Sequence, residues 1–72
     1  MFAVIEMQTN GNTTAVLPVI TKEDRNNALS AYHSILASAA ISKVEKHTAL
    51  VIDENGGMVA VSCFEHKEEE NE

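Results

Sequence analysis

The side chains most able to do chemistry are three histidines and one cysteine: His33, His47, His66 and Cys63. A zinc site needs three or four ligands at a recognisable spacing, and a nucleophilic cysteine needs a base beside it. The sequence spreads these four residues over different elements, so that only His47 and Cys63 could approach on neighbouring strands. We therefore predict no metal, no cofactor and no catalytic residue, and we interpret Cys63 as a small apolar strand residue.

Phosphate-binding and acid–base patterns are equally weak. Gly11, Gly56 and Gly57 fall in turns, and no glycine-rich loop precedes a helix. The neighbouring carboxylates Asp53 and Glu54 also lie in a turn, where they are expected to face water. These observations favour a protein that is not an enzyme.

Length and charge limit the classes of protein to which the chain could belong. A chain of 72 residues forms one small domain with a marginal core, and its single cysteine excludes an internal disulfide. The net charge is −6, and five of the eleven acids lie in the last eight residues. We predict a domain over 1–65 and an acidic, disordered tail over 66–72. The nearly neutral body argues against nucleic-acid binding.

The first ten residues carry no basic segment, and no apolar run approaches the roughly 20 residues of a membrane span. We therefore expect a cytoplasmic protein without a signal peptide or a membrane partner.

Hydrophobic and turn patterns predict the elements. Strands are expected over 2–8, 13–20, 47–52 and 58–64, and one helix over 22–41, with Thr21 as its N-cap. The Asn10-Gly11 pair is typical of a hairpin turn. The fold class is therefore α+β, a single ββαββ domain. Pro18 belongs on an edge strand, which favours a four-stranded antiparallel sheet in the order 2-1-3-4.

The strands are apolar on both faces, although one helix covers only one. Side-chain alternation assigns one face to Val4, Leu17, Val19, Leu50, Ile52 and Phe64. It assigns the other face to Ala3, Ile5, Val16, Ile20, Val51, Val59 and Val61. The second face needs a cover, and a homodimer or a higher homo-oligomer supplies one.

The helix predicts an interface as well. Its apolar stripe repeats every four residues, as expected for packing on a sheet. The stripe consists of Ala28, Tyr32, Leu36 and Ala40, and it is flanked by Leu29, Ile35 and Ala39. A second ridge consists of small side chains without charge, which would let another helix approach closely. We predict that the interface contains Ser30, Ser34, Ala37, Ser38, Ile41 and Ser42.

A pocket for a small ligand is the alternative. Two chains could enclose the start of the helix, where backbone N–H groups favour anions. Lys22, Arg25 and Asn26 would then point into a pocket at the chain interface, although Glu23 and Asp24 oppose an anion. A protein of this kind would sequester a small ligand or inhibit a host system.

Nearly the whole chain resembles a group of small proteins encoded in prophages and mobile elements of gut bacteria. The resemblance rests on FAVIE with QTNG, on AYHSILASAAIS, on HTALVIDENG and on FEH before an acidic tail. The tail HKEEENE lacks the Pro-Glu pair that is frequent in the group. The resemblance implies a phage-type accessory protein in a bacterial host cell, with a phage or host protein as partner and without catalytic residues.

Overall fold

The computed structural model describes residues 1–66, which form five strands and one helix. The strands are β1 (Phe2–Asn10), β2 (Thr13–Val16), β3 (Ile20–Lys22), β4 (Lys46–Asp53) and β5 (Met58–Glu65), and the helix is α1 (Arg25–Ile41). All pairings are antiparallel, and the order across the sheet is β2-β1-β4-β5, with β3 also on β1. The α+β class is confirmed.

The second predicted strand, 13–20, is two strands, so the sheet has five strands and not four. β2 pairs with one half of β1, and β3 pairs with the other half in a register shifted by one residue. The last contact before the break is the bond from Leu17 N to Glu6 O, 3.0 Å long. Pro18 has no N–H to donate, and it lies with Val19 in the resulting bulge opposite Ile5. The order of the predicted strands is otherwise retained.

The helix begins three residues later than predicted because Asp24, and not Thr21, is its N-cap. Asp24 has an extended backbone, and its carboxylate accepts a 3.0 Å hydrogen bond from Asn27 N. Thr21 is used elsewhere, as the partner of Ala3 in the sheet. The helix ends at Ile41, as predicted, and Ser42 is its C-cap.

Removal of this cap provides a simple stability test. We expect Asp24→Ala to lower the free energy of unfolding by about 1 kcal/mol, because it leaves the Asn27 amide without its side-chain acceptor. Asp24→Asn keeps an oxygen in place and serves as the control. Urea unfolding at one protein concentration measures both, and equal midpoints for the two variants would contradict the capping role.

The core lies between α1 and the sheet and is small. Its buried cluster contains Val4, Ala28, Tyr32, Ala49 and Val51. Half-buried side chains surround this cluster: Phe2, Leu29, Ala31, Ile35, Leu36, Val59 and Ala60. Five of the seven residues on the predicted apolar stripe and its flanks are among them, whereas Ala40 is exposed. The five are Ala28, Leu29, Tyr32, Ile35 and Leu36.

Two contacts hold the first hairpin against the segment that follows the helix. Gly11 N donates to the Glu45 carboxylate at 2.8 Å, and Glu45 N donates to the side-chain oxygen of Asn10 at 3.0 Å. The turn residues are Gly11 and Asn12, one position later than predicted, because Asn10 still pairs with Thr13. Gly11 has φ 60°, a conformation that glycine adopts without a Cβ penalty.

The second hairpin turn is organised by Asp53. Its carboxylate Oδ1 accepts from Asn55 N at 2.9 Å and from Gly57 N at 2.8 Å. At the same end, the Met1 amino group donates to Glu54 at 2.7 Å. This hydrogen bond, more than any other contact, raises the pKa of the amino group above its usual value. Both groups are more than half exposed, so the ion pair is a minor contributor to stability.

His66, the first residue after the predicted domain 1–65, contacts both the sheet and the helix. His66 N donates to Glu45 O at 2.9 Å, and its Nε2 lies 2.9 Å from the carbonyl oxygen of Ala39. His66 is therefore bound to both the sheet and the helix. The rest of the predicted acidic tail, 67–72, lies outside the described residues.

Candidate functional site

The three histidines and the cysteine that could take part in chemistry do not form a common site. His33 is exposed on α1, with its ring 5.1 Å from that of Tyr32. His47 is paired with Phe64, and its neighbour Thr48 is paired with Cys63. Because successive side chains of a strand point to opposite faces, His47 and Cys63 lie on opposite faces of the sheet. Within residues 1–66 no three His, Cys, Asp or Glu side chains are grouped so that they could hold a metal.

His47 is nevertheless the most unusual polar side chain, because it is the one buried polar residue within residues 1–66. Its Nδ1 lies 2.8 Å from Glu6 Oε2, and Gln8 Nε2 donates to the same oxygen at 3.2 Å. A carboxylate only accepts hydrogen bonds, so His47 Nδ1 carries the hydrogen. The strand register explains the contact between His47 and Glu6. His47 lies opposite Gln8, and Glu6 is the next residue of β1 on that face.

The second ring nitrogen of His47 has no hydrogen-bond partner within residues 1–66. A histidine oriented by a carboxylate resembles a general base, which also requires a reacting group within reach of that nitrogen. The described part of the chain places no such group there and encloses no cavity. The geometry supports a structural role, in which the pair ties β1 to β4 beneath α1.

The opposite face of the sheet, here called the open face, is the most distinctive surface of the molecule. No element within residues 1–66 packs on it, since α1 lies on the other face with Val4, Ala49 and Val51. The registers arrange its side chains in four rows across the strands. The rows are Thr21–Ala3–Ile52–Met58, Ile5–Leu50–Val61, Val16–Met7–Thr48–Cys63 and Thr14–Thr9–Lys46–Glu65.

These rows form a gradient from apolar to polar. The first is apolar apart from Thr21, the second contains only apolar side chains, the third is mixed, and the fourth consists of hydroxyl and charged groups. Towards the edges of this face, Val16 is 62% exposed, Met58 59% and Val61 54%. The central side chains, Ile5, Met7, Leu50 and Ile52, are half-buried. The open face also carries no net charge, because Lys46 and Glu65 are its only charged residues and are cross-strand partners.

Several side chains lie on a different face from the one predicted by alternation. Leu50 and Ile52 belong to the open face, whereas Val51 and Ile20 lie on the helix side. Even-numbered residues of β1 pair with odd-numbered residues of β4, which reverses the parity assumed from the sequence. The bulge at Pro18 reverses it again for Ile20. The prediction that both faces are apolar does not depend on this assignment.

The predicted helix ridge faces outward. Ser30, Ser34, Ala37 and Ser38 are exposed, and Ile41 is 87% exposed. Ser42 differs from them, because it is the C-cap and its hydroxyl accepts a 3.0 Å bond from Val44 N. The assignment of these residues to an interface stays a prediction.

The residues of the alternative pocket lie around the start of α1. Lys22 is half-buried on β3, and Arg25 and Asn26 are exposed in the first turn of the helix. The Asp24 carboxylate already occupies one of the N–H groups there. A pocket formed between two chains at this position stays a prediction.

Two features of the site were missed by the sequence analysis. Glu6 gave a signal, since it is the single charge inside the apolar run FAVIEM, but its partner could not be named. The composition of the open face could be assigned only from the strand registers.

No helix among residues 1–66 combines the length and the apolar character that crossing a membrane requires.

Comparison of the chain with protein-family models, with curated proteins and with solved structures gives no match.

Proposed function

We propose that the protein is a non-enzymatic accessory protein of a phage or mobile element that acts by protein–protein interaction as a homo-oligomer. The observation that carries this proposal is the uncovered apolar open face. Contiguous apolar patches of a few hundred Å² on a soluble protein mark interaction sites. The occupant that we assign to this face is a second copy of the chain.

Charge favours a second copy. A partner with a strong charge of either sign would gain nothing from the open face, whose Lys46 and Glu65 already neutralise each other. Two open faces can stack without opposing like charges if their apolar rows overlap. Such sheet-on-sheet packing joins faces about 10 Å apart, which is the separation found in β-sandwiches.

The size of the face is also adequate. Four strands about 4.8 Å apart and four rows about 6.8 Å apart give a surface of roughly 19 Å by 27 Å, or about 500 Å² on each copy. Two copies therefore bury about 1,000 Å², which reaches the lower bound for a specific interface. Only the apolar part of this area, which lies mainly in the first two rows, contributes at roughly 25 cal/mol per Å², and it opposes the loss of freedom on association.

A charge at the centre of the open face tests the proposal. Leu50 lies between Ile5 and Val61 in the second row. We expect Leu50→Lys to weaken self-association by more than about 100-fold, because an unpaired buried charge costs about 3 kcal/mol or more. Light scattering on a size-exclusion column, at high micromolar protein concentration, measures the mass of the wild type and of the variant.

Ser34→Lys is the matched control, since it places the same charge on the predicted helix ridge. A dimeric wild type with a monomeric Leu50→Lys variant and a dimeric Ser34→Lys variant supports the open face. A dimeric Leu50→Lys variant with a monomeric Ser34→Lys variant would instead place the contact at the helix ridge. A wild type that is monomeric at high micromolar concentration overturns the proposal of a homo-oligomer.

A further inference from the structure

The two edges of the sheet are built differently. One edge consists of β2 and β3, which have four and three residues and are separated by the bulge that contains Pro18. Short strands, proline and bulges protect an edge from pairing with another chain. The other edge is β5, which has eight residues and contains neither proline nor lysine. Its own bulge is at Val59, so six regular residues follow it.

The backbone groups at the β5 edge can be identified from the hydrogen-bond phase. His66 N donates to Glu45 O, which makes residues 45 and 66 a hydrogen-bonded pair. In an antiparallel ladder such pairs alternate, so Ala60, Ser62 and Phe64 direct their N–H and C=O groups towards β4. The N–H and C=O groups of the residues between them, Val61 and Cys63, therefore point away from the sheet. Within residues 1–66 they have no backbone partner.

We propose that β5 pairs antiparallel with β5 of a second copy, about a two-fold axis at Ser62. In this register Val61 lies opposite Cys63 of the second copy, and the two residues exchange N–H···O=C bonds in both directions. The symmetry repeats this exchange on the other side of the axis, so four unpaired N–H groups gain acceptors. The bulge at Val59 lies outside this stretch.

The side chains of β5 fit this register better than they fit a charged partner. Ala60 lies opposite Phe64 of the second copy, which sets a small side chain beside a large one. The two Glu65 residues are separated by six residues along the paired strands, or about 20 Å, so they do not oppose each other. Within β5, this register therefore sets no like charges opposite each other.

The paired sheet keeps both helices on one side and both open faces on the other. Edge pairing thus extends the open face and is compatible with its stacking, yet it does not require that stacking. The inference goes beyond the proposed function, because it rests on the backbone of β5 and not on the apolar rows.

Amide hydrogen exchange tests the pairing in the full chain. Ser62 N–H is bonded to β4 in any state, and its protection serves as the internal reference. At a concentration about 100 times the dimer Kd, about 7% of the chains remain monomeric, so we expect the Val61 and Cys63 amides to exchange about 15-fold more slowly than in dilute protein. Stacking through the open face alone gives these amides no acceptor. Rapid exchange at Cys63 in a protein of dimeric mass overturns edge pairing and leaves the proposed function intact.

Val61→Pro supplies the second test, with Val61→Thr as its control. Proline removes the outward N–H without breaking a bond to β4, so the domain should retain its far-ultraviolet circular dichroism. We expect the protection at Cys63 to disappear in Val61→Pro and to persist in Val61→Thr, which keeps the N–H. Equal protection in both variants overturns the inference. If the proline variant does not fold, the exchange of the wild type still decides.

Discussion

Tyr32→Ala should destabilise the domain more than any other single change in α1. The ring of Tyr32 is buried in the core cluster, and its hydroxyl donates to Ser62 Oγ at 2.7 Å. Truncation of a buried aromatic side chain costs about 3–5 kcal/mol. A domain of this length has a total stability of roughly 4–11 kcal/mol, at about 0.05–0.15 kcal/mol per residue. Much of the population should therefore unfold in mild urea.

Tyr32→Phe separates the contribution of the ring from that of the hydroxyl. It removes only the hydrogen bond to Ser62, so the expected loss is about 1 kcal/mol. Ser62→Ala and the double variant complete a cycle that isolates the energy of this bond. All variants must be compared at one protein concentration, because association adds to the stability of a homo-oligomer. A Tyr32→Ala variant with a wild-type urea midpoint would contradict the small core.

Glu6→Ala should cause the second large loss of stability. The Glu6 carboxylate is the hydrogen-bond partner of the buried His47 ring, whose other nitrogen already has no partner within residues 1–66. Without Glu6, the imidazole stays buried with neither nitrogen satisfied. We expect the free energy of unfolding to fall by about 1–3 kcal/mol, as measured by urea unfolding at fixed pH.

Two further variants define the origin of this loss. Gln8→Ala removes a donor to Glu6 but leaves the bond to His47, so its effect should be much smaller. The double variant Glu6→Leu with His47→Leu removes both polar partners, and it should recover most of the stability, because apolar replacement of a whole buried pair is often neutral. A double variant less stable than Glu6→Ala would show that the pair itself stabilises the fold.

Local structure was predictable because it depends on neighbours in the chain. The Asn10-Gly11 pair indicated a hairpin, and Gly11 does have the positive φ that such a turn requires. Pro18 indicated an edge, and it lies in a bulge on the β2–β3 edge. The start of the helix was misplaced because Thr21 and Asp24 are both good N-caps, and the sheet uses Thr21.

The strands could be predicted from local alternation, but the composition of each sheet face could not. Alternation within one strand is a local property, whereas the face shared by two strands depends on their register. A shift of one residue moves every side chain of a strand to the other face. Leu50 and Val51 show the consequence. Leu50 was predicted to share a face with Val4, but Val51 does so in the structure, and Leu50 lies on the open face.

The sequence by itself determined the α+β class, the single helix, the antiparallel sheet and the excess of apolar side chains over what one helix covers. These properties follow from composition, from periodicity and from turn residues such as Gly11 and Pro18. Tertiary structure alone decided which side chains form the open face, that Glu6 meets His47, and that β5 is the unprotected edge. Each of these depends on pairings between residues far apart in the chain, and the energy of such pairings arises only when packing brings the strands into register.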